Sequence, residues 1–451
     1  MSNGKKKKEI KNLRTGTFSR GFSLAKLGLQ ASAKAAGHAV GNLMASEAAQ
    51  AIRKKSHVLE QVALLTKEFG QLKGSLMKAG QMLSVYGEHF LPPEANLVLK
   101  TLQSDSPPVE WEEMRKILNR QLGKERMNEL EVNPVAIGAA SLGQVHRARI
   151  KATGEEIVLK IQYPGVDKAI EGDIKALKRL LSLTEWLPKV PATEEIFEEV
   201  KLMLKQELDY ERELEQLSYF HETLTGDERY VVPKPYRGFC TRRVLAMSYE
   251  EGVPVDSDAV LSLSQERRNA LSEAALDLYF RELFVYRKIQ TDPHFGNYRV
   301  RLRGRGKDQL LLFDYGAVRE LTSEFMARYQ VMLGGLFWDK RETFERGAYG
   351  LGVMEESDPE ELKELFYQLC AAIVEPFAEE APYDWKMNDL PQRVSRLTWD
   401  IVKRFPLRAP PREIVFLDRK MAGMFTFMSV LGAQVNARKL LLPYMKDLKK
   451  I

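Results

Sequence analysis

The chain is poor in the residues that hold extracellular or metal-built domains together. It has only two cysteines, Cys240 and Cys370, far apart and without metal-ligand spacing. A single bridge is open to them, but a reduced intracellular protein is the simpler reading. No run of 18 apolar residues occurs, so no transmembrane helix is expected. A secretory apolar core is also missing, because Phe22 to Met44 is broken by Lys26, Gln30, Lys34 and His38. Neither an internal repeat nor a long low-complexity tract is visible. Net charge is small too: 68 Lys and Arg against 62 Asp and Glu leave +6, which does not argue for a nucleic-acid partner, and none is expected. Much of that excess sits in Lys5-Lys6-Lys7-Lys8, followed by Lys11 and Arg14. Such a run is either a solvated tail or a contact for an anionic membrane surface.

What is present is the composition of a globular protein longer than one ordinary domain: 451 residues, 44% hydrophobic and 29% charged. Residues 1–45 form a basic, Ala/Gly-rich segment that suits an amphipathic helix or a loose extension. Helical spacing then runs through Val58, Val62, Leu65, Phe69, Leu72 and Leu76, within an extension placed at 46–130. Leu91-Pro92-Pro93 and Pro107-Pro108 interrupt it, and Glu110 to Leu122 reads as a short helix. From 131 to 252 the period shortens. Gln144 to Ile150 and Glu156 to Tyr163 read as a hairpin, a long charged helix covers Glu194 to Leu224, and strand-like sequence spans Val231 to Met247. From 253 to 451 the pattern is mostly helical. A small β-containing lobe before a large helical one predicts an α+β, protein-kinase-like bilobal fold.

The densest chemistry lies between Asp292 and Gly316. Asp292-Pro293-His294-Phe295-Gly296-Asn297 is followed by a basic loop and then Leu311-Leu312-Phe313-Asp314-Tyr315-Gly316. In phosphoryl transfer a first Asp positions the nucleophile, while an Asn five residues on and a later Asp hold the metal. Asp292 is thus the catalytic candidate, and Asn297 and Asp314 are the metal candidates. Each piece alone also makes an ordinary turn. Upstream, Gly138-Ala139-Ala140-Ser141-Leu142-Gly143-Gln144-Val145 aligns with the loop G-x-G-x-x-G-x-V, with Ala140 at the middle glycine. Small residues there let backbone N–H groups approach phosphates, and Val145 can cover a flat base. Lys160, between apolar residues of the next strand, either snorkels or grips the α- and β-phosphates. The acidic stretch Glu207-Leu208-Asp209-Tyr210-Glu211-Arg212-Glu213 holds the candidate partners for that lysine, although an acidic helix is usually solvated and composition singles out none of them. Met247-Ser248-Tyr249-Glu250-Glu251-Gly252 is placed for a hinge contacting adenine, with Tyr249 as its nucleotide contact. The ordered set points to ATP with Mg²⁺.

One motif has no place in ordinary kinases: Lys78-Ala79-Gly80-Gln81. Together with Ser141-Leu142-Gly143-Gln144-Val145-His146, Lys160-Ile161-Gln162-Tyr163-Pro164-Gly165-Val166, Glu207-x-Asp209 and Leu417-Asp418-Arg419-Lys420, the chain resembles the UbiB family of atypical kinase-like proteins, also called AarF-domain or ADCK proteins, over about residues 60 to 430. The resemblance implies that Lys160 pairs with Glu213. It implies that Lys78 and Gln81 cover the active site, with Lys78 meeting Glu207 or Asp209. It further implies an ATPase or small-molecule kinase supporting ubiquinone or other isoprenoid-lipid metabolism, with a lipid or isoprenoid acceptor and peripheral membrane association. The expected location is cytoplasmic, peripheral at the inner face of a membrane, or the mitochondrial matrix in a eukaryote. A non-catalytic nucleotide-binding scaffold and a protein Ser/Thr kinase are the rival readings. The family usually has alanine where Gly138 stands, so a freer loop is expected here. Gln290-Thr291 and Tyr315 replace the usual kinase residues at their positions.

Overall fold

The computed structural model describes residues 75–87, 99, 108–139, 141–183, 191–292, 294–304, 306–405 and 410–450. The basic segment 1–45 and the first part of the extension, 46–74, lie outside the described residues. The chain forms two compact units. The first takes in the residues up to Glu215 and Lys234–Tyr249; the second takes in Gln216–Pro233 and Glu250 onward.

The first unit is built on an antiparallel sheet of β1 (Leu130–Ala139), β2 (Gly143–Ile150), β3 (Glu156–Gln162) and, beyond the short β4 (Tyr230–Val231) of the second unit, β5 (Val244–Ser248), in the order β1-β2-β3-β5. Strand β3 is central, and Ile157, Leu159 and Ile161 on one of its faces are fully buried. Lys160 projects from the opposite face, in register with Val145 on β2 and Leu245 on β5. Helix α1 (Ser75–Gly87) buries Leu76, Ala79, Met82 and Leu83, at the spacing that places them along one side of a helix. It packs on two later helices, Val166–Leu183 and Pro191–Glu207.

The single long helix expected over Glu194–Leu224 is in fact two, Pro191–Glu207 and Tyr210–Leu224. Asp209 causes the break. Its carboxylate accepts the Arg212 N–H at 3.1 Å, capping the second helix, which is the usual work of an aspartate at a helix start. The expected helix at Glu110–Leu122 runs on to Asn128, across a kink at Gly123, whose φ is 76°.

In the second unit, β4 pairs in parallel with β9 (Gln309–Leu312), which pairs in turn with β8 (Tyr298–Arg301) and then β6 (Val253–Pro254). A separate ribbon joins β7 (Lys288–Gln290) to β10 (Val318–Glu320). The helix Gln265–Phe280 lies in the core and continues as a π-helix, Arg281–Tyr286, which ends at Arg287 with a left-handed φ of 52°.

A polar cluster under β2 sets a pH dependence. His146 is fully buried; its Nδ1 donates to Asn133 O at 2.9 Å, and its Nε2 lies 2.8 Å from Gln144 Nε2. The amide can only donate there, so His146 is a neutral imidazole protonated on Nδ1. Burial lowers its pKa below the usual 6.5. The folded state therefore binds fewer protons than the unfolded chain below that pH, and its contribution to stability, complete above 6.5, is lost as pH falls through the lowered value. The wild-type thermal midpoint is expected to drop more between pH of about 7.5 and about 5.5 than that of His146→Leu, whose side chain cannot titrate. Parallel pH profiles would show that His146 is not the group responsible.

Candidate active site

The first unit gathers Lys78, Lys160, Glu207, Asp209 and Glu213 around the junction of the two helices. Lys160 Nζ donates to Glu213 Oε1 at 2.6 Å, with the carboxylate almost fully enclosed and the ammonium 19% exposed. The Tyr210 ring lies 5.2 Å from the same ammonium. Two residues along β3, and so on the same face, Gln162 donates to the Leu208 carbonyl at 2.5 Å, satisfying a backbone group freed by the helix break. Lys78 meets Glu207, at 2.9 Å. Asp209, the other partner allowed for Lys78, uses its carboxylate to cap the following helix. Gln81 is half-buried one turn after Lys78, and its carbonyl accepts Ser84 Oγ at 2.7 Å.

The small-residue loop is less open than its composition suggests. Gly138 and Ala139 belong to β1, paired with Val145 and Gln144; Ser141 is half-exposed in the turn, and Ala140 lies outside the described residues. The extra backbone freedom expected of Gly138 is not used. It is absent from the described glycines with positive φ, and an added Cβ would find only Val145 Cβ, at 4.0 Å. Gly143 is the glycine that sterics demand, since a Cβ there would sit 2.4 Å from the Ile161 carbonyl oxygen. Tyr249 follows β5, and its N–H already donates to Glu156 O at 3.0 Å, extending the sheet. The Arg147 guanidinium stacks 3.9 Å from its ring centroid.

In the second unit, Asp292 follows β7, Asn297 immediately precedes β8, and Asp314 lies two residues after β9. Because β8 and β9 are antiparallel, with Tyr298 opposite Leu312, the last two residues emerge from the same end of the pair. Phe313 N donates to Asn297 O at 3.1 Å and tightens that end. Asn297 Nδ2 donates to Asp292 O at 2.9 Å, which directs its amide oxygen away from that bond. Asp314 Oδ1 accepts Gly316 N at 2.9 Å. A carboxylate and an amide oxygen suit a hard cation such as Mg²⁺, which takes few protein ligands and keeps water. Among the described residues no group of three or more His, Cys, Asp or Glu is placed to hold a metal ion.

Sequence reasoning assigned no role to four residues that hold this segment. Gln290 Oε1 accepts Asp292 N at 2.6 Å, while its Nε2 donates to Asp314 O at 3.2 Å, so one side chain ties the two motifs together. Glu282, on the π-helix, accepts Gln290 N at 3.3 Å and pairs with Lys420 at 3.1 Å. Arg419 reaches the Asp292 carboxylate at 2.9 Å. The last two belong to Leu417-Asp418-Arg419-Lys420, which entered only as part of the family resemblance.

Burial opposes charge on both members of the Glu282–Lys420 pair. It pushes the Glu282 carboxyl above its usual range, while the Lys420 ammonium, against the same penalty, is held above the usual lysine value by Glu282. Lys420→Ala should cost roughly 3–5 kcal/mol, because it strands a buried carboxylate. Replacing both residues by leucine and methionine should recover most of that loss. Denaturant unfolding measures it, and a loss under about 1 kcal/mol would mean the carboxylate finds water or another partner.

A strand-borne lysine with a helix carboxylate, and an Asp–Asn–Asp set on strand ends, are the parts of a kinase-like phosphoryl-transfer fold. The family description of the ABC1 atypical kinase-like domain matches residues 101–346. The chain belongs to that family. It is 31% identical over 375 residues to the mitochondrial atypical kinase COQ8B of Danio rerio, covering 82% of this chain but only 59% of that protein. It is 29% identical to the mitochondrial atypical kinase COQ8 of Saccharomyces cerevisiae, over 83% of this chain and 74% of the yeast protein. Among solved structures, one described as the complex of Rv3197 with erythromycin from Mycobacterium tuberculosis is similar at a TM-score of 0.58 and 22% identity, covering 87% of this chain and 96% of that one, which supports the fold.

Proposed function

We propose that the protein is an atypical kinase-like enzyme that binds ATP with Mg²⁺ and acts as an ATPase or small-molecule kinase in ubiquinone or other isoprenoid-lipid metabolism. The observation that carries the reading is the enclosed Lys160–Glu213 pair at 2.6 Å. A lysine kept charged and pointed by a buried carboxylate is what gripping nucleotide phosphates requires. In the same reading Asn297 and Asp314 hold the metal, which when bound neutralises charge on the phosphates, and Asp292 orients the attacking oxygen of water or an acceptor hydroxyl. The relatives' description as atypical kinases supports the class of activity, and the family resemblance supports the lipid context. Their mitochondrial location and the lack of any described helix able to cross a membrane suit peripheral attachment at a membrane's inner face. A non-catalytic scaffold is the main rival, and phosphate release from Mg-ATP in the presence of lipid separates the two.

Asp314→Asn removes the anionic ligand and keeps the side-chain shape. Nucleotide with Mg²⁺ should raise the thermal midpoint of the wild type but not of this variant, and a chelator should erase the wild-type shift. Equal Mg²⁺-dependent shifts in both proteins would refute the metal assignment.

A further inference from the structure

The segment Asp292-Pro293-His294-Phe295-Gly296-Asn297 contains no lysine or arginine. A cation beside Asp292 comes from 127 residues downstream, where Arg419 Nη2 donates to Asp292 Oδ1 at 2.9 Å. The two side chains are only 14% and 12% exposed, so water screens the pair less than it would at an open surface. Arg419 sits on the helix Arg412–Leu431, and the next residue, Lys420, turns about 100° around that helix and enters the core. There Lys420 meets Glu282 at 3.1 Å and Tyr298 Oη at 3.3 Å. Tyr298 directly follows Asn297. Glu282 also accepts Gln290 N, and Gln290 accepts Asp292 N. Asp292 is therefore held at its backbone through Gln290 and at its carboxylate through Arg419. Both holds trace back to Glu282.

We infer that Arg419 is a positioning residue for Asp292, and that the buried Lys420–Glu282 pair is the anchor that sets where the Arg419 guanidinium lies. The inference rests on the reading of Asp292 as the group that orients the attacking oxygen. A free aspartate rotates about two side-chain bonds. A guanidinium bound to one of its oxygens fixes that rotation and leaves the carboxylate facing one direction. Such preorganisation matters because a displacement of about 1 Å at a reacting group costs on the order of a hundredfold in rate. Arg419 acts here through Asp292 and is assigned no contact with substrate.

The test uses the full chain as wild type, Arg419→Ala, Arg419→Lys, Asp292→Asn and the Asp292→Asn/Arg419→Ala double variant. Phosphate release from Mg-ATP gives kcat and KM for each, and thermal unfolding gives a second cycle. Arg419→Ala should lower kcat roughly a hundredfold with KM unchanged. Arg419→Lys, which keeps the charge without the planar fork, should recover part of that loss. Adding Arg419→Ala to Asp292→Asn should lower residual turnover no further, and the midpoint shifts of the two single variants should not sum in the double. Wild-type turnover in Arg419→Ala overturns the proposal, and so does an equal loss in both backgrounds, which is what a merely structural arginine would give. Additive midpoint shifts overturn it as well, and where Arg419→Ala folds poorly Arg419→Gln, which also removes the charge, takes its place in the cycle. A wild type that releases no phosphate overturns the enzymatic reading and this role together, whereas wild-type turnover with independent effects of the two residues overturns this role alone.

Discussion

A lysine drawn mostly out of water on the central strand of a sheet needs a partner for its charge, and Lys160 has Glu213 at 2.6 Å. Much of the first unit's local architecture serves that contact. Glu213 can face β3 because the polypeptide turns at Leu208 and Asp209 and starts a new helix at Tyr210. The turn is secured from three directions: Asp209 caps the new helix, Gln162 takes the Leu208 carbonyl, and Lys78 holds Glu207. Two members of this set, Lys160 and Gln162, are alternate residues of one strand, so the pleat alone puts both side chains on one face. Gly143 closes the arrangement by letting β2 pass against the Ile161 carbonyl, where no other residue would fit.

The second unit solves a similar problem with more burial. The Glu282–Lys420 pair is only 4% and 3% exposed, and its worth lies less in net stability than in what it orients. From Glu282 the order passes to Gln290 and on to both Asp292 and Asp314. From Lys420 it passes to the neighbouring Arg419 and to Tyr298. Aromatic packing supports the same region: Phe427 contacts the rings of both Phe295 and Tyr298, at centroid distances of 6.2 and 5.7 Å. Tyr315 is buried against Phe220, with ring centroids 5.0 Å apart.

The parts legible in the sequence were those encoded by short-range pattern. The hairpin of β2 and β3, the strand carrying Lys160, and the turns around Asp292, Asn297 and Asp314 are each written within about ten residues, where period and turn chemistry speak directly. The helix break was not read, because apolar spacing runs on across it and one aspartate in an acidic stretch is an inconspicuous cap, although its residue type was the right signal. A glycine in a loop-like motif looks like a conformational requirement, while Gly138 pairs with Val145 on β2 just after a register shift and is not among the described glycines of positive φ. Arg419 and Lys420 were invisible as partners of Asp292 and Glu282, because contacts so far apart in the chain leave no local periodicity. Gln290 looked like the mere loss of a usual residue, and only geometry shows its amide joining two motifs.

If the Lys160–Glu213 pair binds nucleotide phosphates, a double-mutant cycle on nucleotide affinity reveals it. Calorimetric titration of Mg-ATP into wild type, Lys160→Ala, Glu213→Gln and the double variant gives the four free energies. Each single change should weaken binding by about 1.5–3 kcal/mol, and the double variant should bind no worse than the weaker single. Strictly additive losses, or wild-type affinity in Lys160→Ala, would contradict it.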